Sequence, residues 1–475
     1  MAAAGLLMFV LVAVLLLGTG LPAFIVLMGV AALFAVIGVG AGAVPLALLT
    51  ALPNRILGLL ENDLLQALPL YVMMGALLNR LPLADILFRV GNRLFARSGA
   101  APLLSALGLG ALLAPMNGSV GASVATLSRV VHPRLLARGI DADDSLVIVC
   151  FASTLGVVVP PSLVLILLGD AMLVAHTQAL TATPGVARVI NTQDVFRGTL
   201  GPAAILLLAS FAWVWRSGRG LRRPQAERMP LRAWLTGGIT LAFIVGLLAA
   251  VTAGYLYAVE AAATGAVALL LFGAATRTLT GDVLTLVLRN TMAVTGALFA
   301  LFIGATSFTL VFRALGSDEL LAGFINAIPG GPMGAVIAVM ALLGLSALVL
   351  DAFEIILVIV PLIMPPLLMR ESDAVWVSAL TLLALQASFL VPPIGYAVMM
   401  ARTATAESRP LRGMTRALLP FLALQLLVMG LTLAFPVLTH VASDDAAPVP
   451  RLRDEEIQRR LDSLVPMLPP DDDQR

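Results

Sequence analysis

Long uncharged apolar runs alternate with short arginine-bearing segments along almost the whole chain. Residues 6–17, 26–39, 239–251 and 417–431 contain no charged residue. A helix needs about 20 apolar residues to cross the hydrocarbon core of a bilayer, so this pattern predicts a polytopic helical membrane protein. Composition agrees, because 60% of residues are hydrophobic and 12% are charged, whereas a soluble domain carries about 25% charged residues.

In the first 100 residues the pattern predicts spans and one amphipathic segment. The predicted elements are helices at 4–18, 21–40 and 64–80, a weakly apolar stretch at 46–62, and an interfacial segment at 83–97. The last segment carries Arg89, Arg93 and Arg97 at helical spacing, which is typical of a helix that lies along the membrane surface.

Two further segments are apolar but interrupted. Residues 101–132 are broken at 115–119, and 32 residues are too few for two crossings, so they predict a re-entrant hairpin that turns inside the membrane. Residues 145–168 are long enough for one crossing, but Pro160-Pro161 removes two amide donors in the middle. They predict a discontinuous helix.

The chain also repeats itself at an offset of 232 residues. PRLLARGIDA at 133–142 corresponds to PPLLMRESDA at 365–374, and each is followed by a Val-Pro-Pro. The offset predicts a second hairpin at 333–366, turning near Val349-Leu350-Asp351, and a second broken helix at 375–401. Paired hairpins and broken helices are typical of the substrate and ion site of a secondary transporter.

The remaining segments complete the predicted organisation. They are a polar stretch at 169–199, a helix at 200–215, helices at 234–252 and 255–272, an interfacial stretch at 278–289, a helix at 291–313 and a last helix at 417–438. The domains predicted from them are a first repeat at 1–199, a connecting helix and basic cytoplasmic loop at 200–233, a second repeat at 234–402, a last span at 403–440 and a polar tail at 441–475.

Arginine placement predicts the topology. The loop at 216–232 carries six arginines, which marks the cytoplasmic side. Counting crossings from there places both termini in the periplasm and makes the two repeats inverted. Parallel repeats would instead place the segment 366–374 in the cytoplasm. That segment carries only one arginine, Arg370, which argues weakly against the parallel arrangement. The chain has no lysine and its arginines lie in short loops, so the charge indicates topology and not nucleic-acid binding.

A hairpin tip that meets a broken helix frees backbone groups, which must face protein, water or ligand. Helix N-termini favour anions and free carbonyls favour cations. The predicted substrate-binding residues are Asn117, Gly118, Ser119, Ser123, Pro160, Pro161, Pro392 and Pro393. The predicted sodium ligands are Ser119, Ser153, Thr154, Asp351, Gln386 and Ser388.

These residues also have plainer interpretations. Proline pairs are tolerated in membrane helices as kinks, Asp351 would serve equally as a helix cap, and buried hydroxyls commonly bond within their own helices. Cys150 is the lone cysteine, and the three histidines share no ligand spacing. The sequence therefore predicts no metal cofactor, and without a paired nucleophile and base it predicts no enzyme.

Several motifs, in their order and spacing, resemble those of one transporter family. They are PMNGSVGASVAT at 115–126, STLGVVVPPSLVLIL at 153–167, AVEAAATGA at 258–266, LVLDAFEIILVIVPLIMPP at 348–366 and VPPIGYAVMMAR at 391–402. The chain resembles the large permease subunit of tripartite ATP-independent periplasmic (TRAP) transporters, of the C4-dicarboxylate type. Two departures stand out: Asn117-Gly118-Ser119-Val120 replaces the usual Ser-Gly-Ser-Ser tip, and Ala258-Val259 replaces the usual Thr-Pro before Glu260.

The resemblance implies an elevator-type fold of the ion-transporter superfamily in the bacterial inner membrane, surrounded by lipid. It implies sodium-driven uptake of a small organic acid, a small four-helix membrane subunit and a periplasmic solute-binding protein. The alternative is a stand-alone anion or sodium/proton transporter of the same inverted-repeat superfamily.

Overall fold

In the computed structural model every regular element is a helix, as the apolar pattern predicts. The structure describes residues 3–61, 63–182, 188–221, 229–392, 395–405 and 411–441. Within these ranges seven helices are long and apolar enough to cross a membrane, and an eighth span forms if the bent pair Leu68–Arg80 and Leu83–Leu94 is counted as one. The predicted all-α polytopic class is therefore confirmed.

The first half consists of scaffold helices, a hairpin and a broken helix. The scaffold is α1 Ala3–Thr19, α2 Ala23–Gly40, α3 Leu46–Leu49, α4 Leu52–Leu60, α5 Asp63–Gln66, α6 Leu68–Arg80 and α7 Leu83–Leu94. Hairpin 1 is α8 Ala101–Leu113, a 3₁₀ turn Pro115–Asn117 and α9 Val120–Val130, followed by α10 His132–Leu136. Broken helix 1 is α11 Ala142–Val158 and α12 Leu163–Ala182, and α13 Thr192–Gly218 connects to the second half.

The second half repeats this order. Its scaffold is α14 Leu231–Ala253, α15 Ala258–Ala275, α16 Gly281–Ala314 and α17 Ser317–Ala327. Hairpin 2 is α18 Gly331–Ser346, α19 Ala352–Glu354, a π-helical turn Ile355–Ile359 and α20 Val360–Leu368. Broken helix 2 is α21 Ala374–Leu390 and α22 Tyr396–Thr405, and α23 Leu411–Ala434 with a 3₁₀ turn Pro436–Thr439 ends the described chain. The predicted tail lies outside the described residues from 442 onward.

The prediction of a polar stretch at 169–199 is wrong. α12 continues to Ala182, because Met172, Ala175 and Ala179 are buried at helical spacing among the polar residues. α13 begins at Thr192 and not at 200. Asn191 and Asp194 form a capping box there, in which each side chain accepts from the other residue's backbone N–H, and this reciprocal pairing starts a helix.

The prediction of separate elements at 278–289 and 291–313 is also wrong, because α16 is one helix of 34 residues. In the first repeat Pro69 lies at the start of α6, where its missing amide favours a new helix. The residue 232 positions later is Leu301. Leucine keeps its backbone amide, so α16 continues through this position. The short helix that corresponds to α7 is therefore α17, which begins within two residues of the position that the offset predicts.

The hairpins and broken helices pack in a reciprocal pattern. α8 contacts α11 and α18 contacts α21, so the first arm of each hairpin packs on the broken helix of its own repeat. α9 contacts α22 and α20 contacts α12, so the second arm packs beyond the break of the other repeat. A two-fold relation between the repeats would produce this pattern, and their inverted orientation in the membrane stays a prediction.

Close helix contacts hold the tip of hairpin 1 in place. A Cβ atom added to Gly75 on α6 would lie 2.9 Å from the Cα atom of Asn117 in the tip. One added to Gly156 on α11 would lie 2.6 Å from the carbonyl oxygen of Ala114. Glycine is needed at both positions because the backbones approach too closely for any side chain.

We expect Gly75→Ala to lower the free energy of unfolding by about 1–2 kcal/mol, because the new methyl group would push against the backbone of the tip. Gly29→Ala on α2 is the matched control, since a Cβ atom there meets no atom within 4 Å. Alanine favours helix over glycine by about 1 kcal/mol, so the control should be neutral or slightly stabilising. Thermal unfolding of the purified variants measures both, and equal midpoints would contradict the close contact.

Candidate substrate and cation site

The two hairpin tips carry matching helix caps. Ser119 and Asp351 are 232 residues apart, and each caps the second arm of its hairpin. Ser119 Oγ accepts from Ala122 N at 3.2 Å, and Asp351 Oδ1 accepts from Ala352 N at 2.8 Å. Ser119 is a neutral cap, so the partial positive charge of its helix N-terminus favours an anion close by. At tip 2 the carboxylate of Asp351 already fills that role.

The tip of hairpin 1 also contains an amide and a hydroxyl in contact. Gly118 has a φ of +75°, a left-handed conformation that suits glycine. Asn117 Nδ2 donates to Ser123 Oγ at 3.2 Å, and Ser123 Oγ donates to Ser119 O at 3.1 Å. Asn117 is buried, and its Oδ1 has no hydrogen-bond partner among the described residues. A buried carbonyl oxygen of this kind is a free acceptor for a cation or a donor group.

The prolines lie where the two broken helices are interrupted. Pro160 and Pro161 are buried between α11 and α12, and Ser162 Oγ caps α12 by accepting from Leu165 N at 3.2 Å. Pro392 follows α21 and is partly exposed, whereas Pro393 lies outside the described residues. α11 ends at Val158 and α21 ends at Leu390, so each helix ends shortly before its Pro-Pro. A contact of these prolines with substrate stays a prediction.

Thr154 and Gln386 meet where the broken helices α11 and α21 pack together. They occupy the same repeat position, and Gln386 Nε2 donates to Thr154 Oγ1 at 3.5 Å. Both side chains are fully buried. Gln386 Oε1 has no hydrogen-bond partner among the described residues, so this contact between the repeats leaves a second buried carbonyl oxygen available.

The two remaining predicted ligands bond within their own helices. Ser153 Oγ donates to Val149 O at 2.7 Å, and Ser388 Oγ donates to Ala384 O at 2.8 Å. Each hydroxyl oxygen keeps lone pairs after donating its proton. Ser388 also faces the first arm of hairpin 2, since a Cβ atom on Gly344 would lie 3.4 Å from its Oγ.

Glu354, which the sequence reasoning missed, completes the cap of hairpin 2. Its Oε2 accepts from Asp351 N at 3.1 Å, which forms a capping box with Asp351. The signal was present in the sequence, because an acidic cap followed three residues later by Glu is the pattern of such a box. Two carboxylates therefore lie side by side at this tip.

Tyr396, also missed, brings the second break against hairpin 1. Its hydroxyl oxygen lies 2.8 Å from the point that a Cβ atom on Gly121 in hairpin 1 would occupy. The corresponding residue in the first repeat is Val164. A comparison that looks for residues shared by the two repeats does not find Tyr396, because it differs between them.

Together these groups could bind a cation and an anion next to each other. The amide, hydroxyl and carboxylate oxygens of the tips and of the crossing helices are hard ligands that suit an alkali cation. The helix N-terminus at tip 1, with its neutral Ser119 cap, favours a carboxylate. This combination is chemically suited to the coupled transport of an organic anion with a cation.

Comparison with known proteins identifies the family. Residues 8–438 match the family model described as "Tripartite ATP-independent periplasmic transporter, DctM component". The chain belongs to this DctM family of TRAP transporters. Its members are transport proteins and not enzymes, and the resemblance inferred from the motifs is confirmed.

Individual DctM relatives are distant but match over most of their length. The C4-dicarboxylate TRAP large permease DctM of Pseudomonas aeruginosa is 22% identical, over 80% of this chain and 86% of that protein. The sialic acid TRAP large permease SiaM of Vibrio cholerae is 23% identical, over 81% and 87%. The ectoine TRAP large permease TeaC of Halomonas elongata is 22% identical, over 78% and 84%.

Two solved transporter structures share the fold. The YdaH transporter of Alcanivorax borkumensis superposes with a TM-score of 0.58 at 17% identity, over 87% of this chain and 96% of that one. MtrF of Neisseria gonorrhoeae superposes with a TM-score of 0.52 at 14% identity, over 82% and 83%. At this identity the likeness concerns the fold of the DctM chain and not its substrate.

We expect Asp351→Ala to lower the free energy of unfolding by about 1 kcal/mol, the usual cost of losing an N-cap acceptor. Asp351→Asn should cost much less, because the amide oxygen still accepts from Ala352 N. Thermal or denaturant unfolding of the purified chain measures the difference. Equal losses in the two variants would show that the charge of Asp351, and not its hydrogen bond to Ala352 N, stabilises this tip.

Proposed function

We propose that this chain is the transport subunit of a TRAP transporter that carries a small organic acid into the cell, driven by a sodium gradient. The observation that carries this proposal is the buried contact between Thr154 and Gln386. It joins equivalent positions of the two repeats beside the helix breaks and leaves the Gln386 carbonyl oxygen without a partner.

The cation half of the proposal rests on these oxygen atoms. Sodium takes several oxygen ligands, and unwound backbone and hydroxyl groups beside a break supply them in secondary transporters. Ser119 and Asn117 at tip 1 and Asp351 at tip 2 would add side-chain oxygens next to Ser153, Thr154, Gln386 and Ser388. A buried carboxylate is costly in a membrane, and a bound sodium ion would offset the cost at Asp351.

The substrate half rests on a helix N-terminus and on the relatives. The tip of hairpin 1 presents a helix N-terminus with a neutral cap, Ser119, at which a carboxylate is stabilised. Among the relatives named above, two are described as transporters of organic acids, C4-dicarboxylate and sialic acid. We infer a carboxylate substrate, held between the tips and the breaks at Pro160-Pro161 and Pro392-Pro393.

The packing supports an elevator-type movement. The hairpins and broken helices contact one another reciprocally, whereas α16 packs on α2 and α6, and α15 packs on α6. The scaffold also touches hairpin 1, because α6 contacts the turn Pro115–Asn117 and α7 contacts α8, so the proposed movement would slide hairpin 1 along these two helices. The same arrangement keeps the interrupted helices covered by protein, as a membrane requires.

The family name implies two partners. A tripartite periplasmic transporter would include a small membrane subunit, for which the sequence resemblance implies four helices, and a solute-binding protein that delivers the substrate. We place the complex in the bacterial inner membrane with both termini of this chain in the periplasm. The alternative of a stand-alone transporter predicts uptake by this chain alone in proteoliposomes, and the tripartite proposal predicts uptake only when the other two components are added.

We expect Gln386→Leu to raise the sodium concentration for half-maximal uptake by at least about tenfold, which corresponds to about 1.4 kcal/mol of binding energy. The assay is uptake of a labelled organic acid by proteoliposomes that contain the complete transporter, measured over a series of external sodium concentrations.

Gln425→Leu is the matched control for this experiment. Gln425 is equally buried, donates to Leu383 O at 3.1 Å and also has an unpartnered carbonyl oxygen, but it lies on α23, outside the hairpins and broken helices. It should leave sodium dependence unchanged. Unchanged sodium dependence in the Gln386 variant, or an equal change in both, would remove Gln386 from the ion site.

A further inference from the structure

A cavity of about 450 Å³ lies between α7 and the segment that links hairpin 1 to broken helix 1. Among the described residues that line it, three are arginines and one is an aspartate. The polar and aromatic lining residues are Asp85, Phe88, Arg89, Asn92, Arg134 and Arg138. The cavity is therefore positively charged overall.

The arginines are held in place by neighbours in the same cavity. Arg134 forms an ion pair with Asp85 and stacks over the ring of Phe88, with 5.5 Å from its guanidinium carbon to the ring centroid. Arg138 Nη1 donates to Asn92 Oδ1 at 3.0 Å. Fixed guanidinium groups lose little conformational entropy when they bind a ligand, and their planar forks match the oxygens of a phosphate.

The second repeat shows which of these residues the fold itself requires. Arg370 corresponds to Arg138 and donates to the carbonyls of Ile325 and Ile328 at the end of α17. In both repeats, therefore, this arginine fastens the segment after the hairpin to the short amphipathic helix before it. That role accounts for Arg138 without any ligand.

Arg89 and Arg134 have no such counterparts. The residues 232 positions later are Leu321 and Pro366, and Asp85 corresponds to Ser317. The second repeat builds the same junction without either extra arginine. The first repeat therefore carries two arginines and one aspartate that the second repeat lacks, a net excess of one positive charge at this place.

We propose that this cavity binds a phosphate group, with Arg89 and Arg134 as the main ligands. The arginine distribution predicts that α7 lies at the cytoplasmic surface, where anionic phospholipids are concentrated and basic pockets recognise their headgroups. Leu94 and Phe95 at the end of α7 expose apolar side chains, which places acyl-chain surface beside the cavity. The ligand chemistry is a phosphate ester or free phosphate, and it does not depend on the proposed transport function.

A bound phosphate would connect two parts of the chain. It would bridge α7 and the segment that leads from hairpin 1 to broken helix 1, next to the ion pair of Asp85 with Arg134. Asp85 competes with the ligand for Arg134, so the affinity for phosphate depends on both residues and in opposite directions.

The test compares Arg89→Gln with Arg93→Gln in the purified full-length chain. Arg93 lies one turn further along the same helix, is exposed and does not line the cavity, so both variants lose one charge from α7. The probes are phosphatidylglycerol and phosphatidylcholine in mixed micelles, and inorganic phosphate in detergent alone. Binding is measured by the shift of the thermal unfolding midpoint with probe concentration and by native mass spectrometry.

We expect phosphatidylglycerol to bind the unmodified chain and the Arg93 variant with the same affinity, and the Arg89 variant about tenfold more weakly, since a hydrogen bond to a charged group is lost. Phosphatidylcholine should bind far more weakly. Binding of inorganic phosphate with the same dependence on Arg89 would identify a free anion as the ligand, and binding of phosphatidylglycerol alone would identify a lipid.

Asp85→Asn provides a prediction of opposite sign, which a merely damaged fold would not reproduce. It should tighten phosphate binding several-fold, because the competing carboxylate is removed. Weaker binding in this variant, equal weakening in the Arg89 and Arg93 variants, or binding of neither anionic probe would overturn the proposal.

Discussion

The structure depends on one constraint, that backbone N–H and C=O groups cannot remain unsatisfied inside a membrane. Unbroken helices would satisfy this constraint, but the chain has two hairpin tips and two helix breaks. Other parts of the chain must therefore cover the backbone groups at each of them. The reciprocal packing does this, because the second arm of each hairpin lies against the helix beyond the break of the other repeat. The caps at Ser119 and Asp351 satisfy amides that remain at the tips.

The same constraint places the candidate site. Interrupted helices are tolerated only where they are buried in protein or line a cavity, so the polar groups that they free are gathered in one region. Thr154 and Gln386 occupy that region as a pair from equivalent positions. At positions related by the offset of 232 residues the two halves also differ in polar groups, since Tyr396 corresponds to Val164 and Arg89 to Leu321.

Much of the fold was predictable because its signals are local. Apolar length predicts a span, and Pro160-Pro161 and Pro392-Pro393 predict breaks within spans, although Pro365-Pro366 lies inside α20 without ending it. Predictions failed where the local signal was weak, as at 169–199, where buried Met172 and Ala175 keep α12 helical among polar neighbours. At α16 the absence of a proline, in contrast to Pro69 of the first repeat, decided between one helix and several.

The sequence by itself determined that the chain spans a membrane, where most of its helices lie, the two interrupted motifs and the family, because apolar length, proline chemistry and motif spacing act along the chain. It also indicated most of the polar residues of the candidate site. Only the tertiary structure decided which of them meet, as Thr154 and Gln386 do, and which bond within their own helices, as Ser153 and Ser388 do. The contact of Tyr396 with hairpin 1 and the cavity around Arg89 likewise depend on residues far apart in the chain. Such contacts follow from how helices cross, and no single segment specifies them.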